Sequence, residues 1–522
     1  MADRVVYENL RDVVLRAARL FPSTKFFISG DKDCPYVTGE ELKTCCGHFG
    51  AQMHAEPGKH IAILGPNGAA WITAFFAVVC AGCTAVPLHL GCPDDELEYC
   101  LKKSDSTMLV YDKSCEASAQ ELAKRISGLE IIETHELLKK LHKPGEEFFP
   151  ELAPDDPAAL YFTSGTTSLS RCVILTHRNM GSHCTAAMSA LPLSPDDAGL
   201  SILPPSHTFE LMTNIVGALH CGGTLYINES IRTVKRNLAK YSPTILVVVP
   251  LVLQTLHKEI LNTAKKQGKL DKLQKGLKLS GFLQRFGIDI SHRLFKDVYS
   301  VIGGKLRYFL CGGAALDREL IEFYKRLGIT VIQGYGITEC SPIVAANLPE
   351  ANCFGSIGRT FPCCETKIID GEICVRGDSV SPGYYKDDAA NAEAFRDGWF
   401  HTGDLGRVDK DGYLYFTGRR KNLIILANGE NVSPEEPEER LYQIDGVVDA
   451  IVYEKDQTIT AEIYADKDIF PNVSALWTAV DSVNRSLAVY KRIGNVIMRD
   501  EPFEKTATQK IKRYKFQEAA AQ

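Results

Sequence analysis

No apolar run in this chain is long and clean enough to span a bilayer. The most apolar stretch, Ala69 to Leu88, is broken by Cys80-Ala81-Gly82-Cys83 and by Pro87, and it reads as a buried helix followed by a strand. A signal-peptide core is also missing, since Met1-Ala2-Asp3-Arg4-Val5 leads into an amphipathic helical pattern. These features predict a cytoplasmic protein without a transmembrane segment. An excess of positive charge is lacking too: 59 Lys and Arg stand against 65 Asp and Glu, a formal net charge of −6. That balance argues against nucleic acid as a partner. Cys80-x-x-Cys83 has no second Cys-x-x-Cys or His-x-x-His to complete a zinc site. Cysteine itself is plentiful, at seventeen, but the number is odd and includes the adjacent pairs Cys45-Cys46 and Cys363-Cys364. Reduced thiols buried as small apolar side chains are therefore expected.

What is present is an ordinary globular composition, 45% hydrophobic and 24% charged over 522 residues, enough for about two to four domains. Short apolar runs recur, each ending in a turn rich in Gly, Pro or hydroxyls: His60–Leu64, Ala158–Phe162, Leu200–Leu203, Ile245–Val249, Leu306–Leu310 and Thr330–Gln333. Helical patterns fill the gaps, with Trp71, Phe75, Phe76 and Val79 on an inward stripe. Strand, turn and helix in repetition predict parallel or mixed sheets covered by helices, with ligands at the carboxyl ends of the strands. Phe75–Leu88 and Asn214–Ile227 echo each other as helix, small-residue turn and Thr-led strand, which suggests two similar subdomains. Beyond about residue 345, glycine-bounded segments at 371–377 and 412–418 predict a small β-rich subdomain. Strands at Val447–Tyr453 and Thr458–Tyr464 predict a separate C-terminal domain.

The chemistry begins at Thr163-Ser164-Gly165-Thr166-Thr167-Ser168-Leu169-Ser170-Arg171, where an apolar strand turns into hydroxyls, a glycine and a cation. Such a loop suits a polyphosphate, because each group can donate to a phosphate oxygen. It does not end in the Gly-Lys-Ser/Thr of a Walker A sequence. It resembles the phosphate loop of the adenylate-forming superfamily, S-G-T-T-G-x-x-K-G, which includes acyl-CoA synthetases. Further motifs follow in that superfamily's order: Gly334-Tyr335-Gly336-Ile337-Thr338-Glu339, Gly398-Trp399-Phe400-His401-Thr402-Gly403-Asp404, Gly418-Arg419-Arg420-Lys421 and Lys505-Thr506-Ala507-Thr508-Gln509-Lys510-Ile511. Each alone is weak, and their order over nearly the whole chain carries the resemblance.

The resemblance implies an α/β fold. A large N-terminal domain (1–418) would hold two helix-covered parallel or mixed sheets plus a small β-barrel-like subdomain. A hinge at 419–421 and a small mobile α+β lid domain (422–522) would follow. It implies an AMP-forming acid–thiol ligase that uses ATP, Mg²⁺ and coenzyme A, or the phosphopantetheine of an acyl-carrier protein. In that reading Thr163, Ser164, Gly165, Thr166, Thr167 and Arg171 cradle phosphates. Glu339 holds Mg²⁺, with Thr166 as an option, and Thr338 donates to phosphate. Tyr335, between Gly334 and Gly336, faces adenine, and Gly312, Gly313 and Ala314 let backbone approach the base. Asp404 and Arg419 bind the ribose, and Lys510 stabilises charge at the reacting carboxylate and α-phosphate. Lys421 is the pivot after which the lid swings, and Gly429 lines the path of the thiol.

Pro204-Pro205-Ser206-His207-Thr208-Phe209-Glu210 is similar to the P-L-x-H-x-F-E segment of fatty acyl-CoA synthetases, which implies a medium- or long-chain fatty acid with His207 near its carboxylate. A carrier-protein ligase, an aryl- or short-acid ligase and a non-catalytic binding relative stay open as alternatives. Lys258–Lys278, within a basic helical insertion at about 258–300, could meet an acidic carrier protein or an anionic membrane surface, or simply be solvated. The chain departs from the motifs at Ser168, Arg171, Cys172 and Gln509, and Pro437 falls early in an expected helix. If Ser168 and Cys172 occupy left-handed positions, each Cβ costs on the order of 1 kcal/mol.

Overall fold

The computed structural model describes residues 5–53, 56, 58–163, 170–313, 316–426, 431–456, 458–505, 511, 513 and 516. Two compact units are present. The first comprises Met1–Thr163, Arg171–Glu365 and Val375–Phe395, and the second includes Thr366–Cys374 and Arg396–Gln522. The expected boundary after Gly418 thus falls inside the second unit.

The first unit is built on two sheets. One has the order Glu130–Glu133, Met108–Tyr111, His60–Leu64, Thr84–Pro87, Pro157–Thr163, Arg171–Thr176. Its first five strands are parallel and only the last pair is antiparallel. The other runs from Lys25–Ile28 through Thr224–Ile227, Ala198–Ser201, Ile245–Val248 and Tyr308–Cys311 to Thr330–Gly336, all parallel. Strands such as Ile245–Val248 are continuous apolar runs because both faces are covered. The expected inward stripe of Trp71, Phe75, Phe76 and Val79 is one part of a helix, Ala69–Cys80, that is buried on every side. A helix apolar all round has no solvent face to present.

The internal echo is structural. The helix Ala69–Cys80 is followed by left-handed Gly82 and the strand Thr84–Pro87, and the helix Val216–Cys221 by left-handed Gly222 and the strand Thr224–Ile227. The two units lie in different sheets, so each sheet repeats the same helix-reversal-strand step. The basic segment is helical, as Pro250–Lys266 and Leu270–Gln284. Leu253, Leu256, Ile260, Leu273 and Leu277 pack into a core with Phe309 and Tyr324, each fully buried apolar side chain contributing about 1.5–3 kcal/mol.

The strands Glu372–Arg376, Trp399–Val408 and Tyr413–Arg419 are neighbours in one sheet, consistent with the glycine-bounded β segments. Val447–Lys455 and Thr458–Ala465 pair antiparallel, Asn495–Arg499 joins the latter in parallel, and Glu435–Leu441 and Val473–Asn484 cover them. Pro437 sits in the first turn of Glu435–Leu441, where a helix N–H has no intrahelical acceptor, so its ring removes nothing. All seventeen cysteines are free thiols and most are buried. Among the described residues no helix is long and apolar enough to cross a membrane.

Candidate active site

In the first unit Thr163 and Arg171, the two ends of the phosphate-loop motif, close a pair of antiparallel strands. Thr163 ends the strand Pro157–Thr163, Arg171 begins Arg171–Thr176, and the two lie opposite each other in register. Cys172, paired with Phe162, is buried in extended backbone, and its carbonyl accepts from the Tyr385 N–H at 2.7 Å. The strain expected of a Cβ at this position therefore does not arise, because extended strand backbone accepts any L side chain. Ser164, Gly165, Thr166, Thr167, Ser168, Ala314, Gly429, Gln509 and Lys510 lie outside the described residues.

Arg171 is joined to the expected metal acid through a residue that motif reading missed. Its guanidinium lies 5.1 Å from the centre of the Tyr384 ring and 3.4 Å from Glu393 Oε2. The Tyr384 hydroxyl donates to Glu339 Oε1 at 2.9 Å. Burial, with the Glu339 carboxylate beside it, pushes the phenol above its ordinary range and keeps it a donor. Asn391 clamps Tyr384 by accepting from its N–H at 2.6 Å and donating to its carbonyl at 2.9 Å. Gly383 before it has φ 150°, and a Cβ there would lie 2.7 Å from Asn391 Oδ1. The Ser381 N–H donates to the Glu339 carbonyl at 2.8 Å. A signal was available in Gly383-Tyr384, but nothing in that dipeptide says which strand it will meet.

Gly334-Tyr335-Gly336 is not the expected turn. It continues the strand Thr330–Gly336 and pairs antiparallel with Ile343–Ala346. Thr338 and Glu339 follow in a single 3-10 turn, Thr338–Cys340. Gly336 is required there, since a Cβ would stand 1.9 Å from the Pro342 carbonyl oxygen. Gly312 follows the strand Tyr308–Cys311, and its missing Cβ admits the Phe209 ring, 3.1 Å from where that atom would be. Gly313 has φ 90°.

Behind this strand end is a small apolar cavity of about 30 Å³, lined by Phe209, Leu310, Ile332, Gly334, Ala346 and Phe361 among others. A second small cavity, also of about 30 Å³, shares Thr213 and Leu310 with it in its lining and reaches Gly223 and Leu225. His207 lies at the start of the same segment, its ring 5.4 Å from that of His89. The last residue of the motif, Glu210, is wholly buried and opens a π-helical turn, Glu210–Ile215. One of its oxygens accepts from Ser201 Oγ and from Asn214 Nδ2, and Asn67 Nδ2 in turn donates to Ser201 Oγ at 2.6 Å. Burial pushes the Glu210 carboxyl up to about 8, against the pull of Ser201 and Asn214.

In the second unit, Asp404 and Arg419 face each other across the strands Trp399–Val408 and Tyr413–Arg419, with Arg419 Nε 3.1 Å from Asp404 Oδ1. Glu372, another residue missed from sequence, holds the left-handed kink at Gly403, directly before Asp404 in the strand Trp399–Val408. It accepts from the Gly403 N–H at 2.6 Å, lies 3.0 Å from His401 Nδ1 and pairs with Arg420 at 3.3 Å. Gly418 has φ 148°, and a Cβ there would meet Ser433 Oγ at 2.0 Å. Lys421 is exposed in the short 3-10 turn Arg420–Asn422, beside Asn422, whose Nδ2 donates to Glu435 Oε1 at 2.7 Å.

Against known proteins, a model described as AMP-binding enzyme matches residues 14–385. The chain is 30% identical to human long-chain-fatty-acid–CoA ligase 1 over 473 residues, covering 80% of this chain and 67% of that protein. It is 29% identical to the long-chain-fatty-acid–CoA ligase FadD15 of Mycobacterium bovis over 419 residues, covering 74% of this chain and 70% of that protein. Among solved structures, the O-succinylbenzoate coenzyme A synthetase of Bacillus subtilis in complex with AMP superposes with a TM-score of 0.77 at 26% identity, covering 96% of this chain and 97% of that one. The same enzyme in complex with ATP and magnesium ion superposes with a TM-score of 0.77 at 25% identity, covering 97% and 99%.

Proposed function

The chain belongs to the AMP-binding enzyme family, and from that premise we propose that it activates a medium- or long-chain fatty acid and passes the acyl group to coenzyme A. The carboxylate attacks the α-phosphate of ATP, giving acyl-adenylate and releasing pyrophosphate. The thiol then attacks the acyl carbon and AMP leaves, which overcomes the poor leaving group of a free carboxylate.

The observation that carries the substrate class is the apolar lining of the small cavity behind Gly334 and Phe209. Its lining offers apolar surface to a hydrocarbon chain. The relatives named as long-chain-fatty-acid–CoA ligases support the same reading. His207, at the start of the segment that ends on Glu210, is assigned to the carboxylate end of the chain.

A Mg²⁺–polyphosphate fits what Tyr384 brings together, a carboxylate at Glu339 and a guanidinium at Arg171. When bound, the metal would neutralise charge as pyrophosphate departs. Arg171, with Thr163 and the loop hydroxyls Ser164, Thr166 and Thr167, would orient the leaving phosphates, and Thr338 would donate to them. Tyr335 would stack on adenine, while Asp404 and Arg419 would hold the ribose hydroxyls. Lys510 would stabilise the α-phosphate, Lys421 would be the pivot of a lid at 422–522, and Gly429 would line the thiol's path.

Carboxylate-dependent ATP–pyrophosphate exchange over acids from acetate to oleate tests the reading, and coenzyme A against holo-carrier protein tests the acceptor. Exchange rising with chain length is expected. Exchange with an aryl acid alone would favour the second reading, to which the Bacillus subtilis neighbour points, and exchange with no acid would leave a binding protein.

A further inference from the structure

The helix Leu270–Gln284 has two apolar faces. Leu273, Gly276, Leu277 and Ser280 are buried, and Ser280 Oγ and Gln284 Nε2 donate to the Arg326 and Lys325 carbonyls at 2.7 and 2.9 Å, anchoring the helix from that side. The other apolar face is open to solvent. Leu279 is 48% exposed and Phe282 56%, and just past the helix Phe286 is 67% and Ile288 50%. Lys275, Leu279, Phe282 and Phe286 recur at helical spacing on one stripe. The Phe282 and Phe286 rings meet edge to face at 5.3 Å, so the two aromatics form one protruding knob.

The charge around this knob is predominantly positive. Lys272, Lys275 and Lys278 are exposed on the same helix, and Arg285 is exposed between the two aromatics. Over 265–293 the chain has Lys265, Lys266, Lys269, Lys272, Lys275, Lys278, Arg285 and Arg293 against Asp271 and Asp289, inside a chain of net charge −6. Lys269 is the member of this group held by an acid, Asp297, at 2.7 Å. Exposed large apolar side chains set among lysines are costly in water and gain at a boundary where hydrocarbon lies beneath anionic headgroups.

We propose that Leu279, Phe282, Phe286 and Ile288, ringed by Lys272, Lys275, Lys278 and Arg285, form a membrane-docking surface for anionic lipid. It deepens the fatty acid reading by placing the protein where such acids partition, yet it stands on exposure and charge alone. The test is co-sedimentation of the full chain with vesicles of phosphatidylcholine, with and without phosphatidylglycerol. Binding to the anionic vesicles that falls with added salt is expected. Phe282→Ser combined with Phe286→Ser should weaken it by about tenfold or more, since two buried aromatics are lost. Lys272→Gln, Lys275→Gln and Lys278→Gln together should abolish the difference between the two lipids. Ligation of a water-soluble medium-chain acid without vesicles should stay unchanged in both variants, which separates failure of this surface from failure of the substrate reading. Equal vesicle binding by wild type and the Phe double variant would overturn the proposal. So would capture of acidic carrier protein that needs the lysines, with no vesicle binding.

Discussion

The Tyr384 hydroxyl stands 2.9 Å from Glu339 Oε1, while the ring of the same residue carries the Arg171 guanidinium at 5.1 Å. One buried phenol therefore sets the spacing between an acid suited to a metal and a cation suited to a phosphate. Tyr384→Phe keeps the ring and deletes the donor. A hydrogen bond to a charged group is worth about 1.5–3 kcal/mol, so the Mg²⁺ concentration giving half-maximal pyrophosphate exchange should rise roughly tenfold or more. An unchanged Mg²⁺ midpoint would reduce Tyr384 to a packing residue.

Arg171 is where the loop departs from the family's lysine, and its contact with Tyr384 explains the departure. A planar guanidinium can lie on an aromatic face and still offer N–H groups outward, whereas a lysine ammonium is a point charge on a flexible stem. Arg171→Lys is expected to lower kcat/KM for ATP by about three- to tenfold, the loss of a cation–π contact of roughly 1 kcal/mol. If ATP turnover rises instead, most of all combined with Ser168→Gly, the loop as it stands is a handicapped version of the family's.

Glu210 makes stability depend on pH in a direction unusual for a carboxyl. Its folded value of about 8 lies above the ordinary 4.5, so between those limits the folded chain holds a proton that the unfolded chain has lost. Its contribution is fully present below 4.5 and is lost as pH rises through about 8, a decline on the order of 3–5 kcal/mol in all. Glu210→Gln keeps the shape and removes the charge, and the variant should match wild type near pH 5 and be the more stable at pH 8.5. Parallel urea-unfolding curves across this interval would show Glu210 ionised already in the folded state.

The periodic parts of the fold are legible in the sequence because burial on both faces leaves uninterrupted runs such as Ile245–Val248. Motif order was equally readable, since a phosphate loop, G-Y-G-x-T-E and G-R-x-K each have to be local to work. The connections between motifs were not. Tyr384 reaches Arg171 and Glu339 across more than 200 and about 45 residues of chain, and no local pattern encodes such a meeting. The same holds for the strand that continues through Gly336. Two glycines read as a turn, and only the partner Ile343–Ala346 makes them a strand. Cys172 looked like a strained substitution because the motif was read as one loop, whereas its pairing with Phe162 already belongs to the strand.

Glu372 supplies the last test, since it touches the kink before Asp404 without being Asp404. Its carboxylate holds the Gly403 N–H at 2.6 Å, lies 3.0 Å from His401 Nδ1 and pairs with Arg420 at 3.3 Å. Gly403 has φ 73°, so this N–H fixes a left-handed residue directly before the acid assigned to the ribose. Loss of the carboxylate in Glu372→Ala frees the backbone at Gly403, and under the proposed role of Asp404 its fixed geometry toward the two ribose hydroxyls is lost. A buried acceptor removed from a charged pair costs about 3 kcal/mol, part of it as stability, so Glu372→Gln is the control that keeps an oxygen for the Gly403 N–H. The expected signature is selectivity: Glu372→Ala should lose much of the preference for ATP over 2′-deoxy-ATP in kcat/KM, while Glu372→Gln retains it. An alanine variant that is less stable yet discriminates as wild type does would mean that Glu372 supports the sheet and leaves the ribose contacts to Asp404 and Arg419 alone.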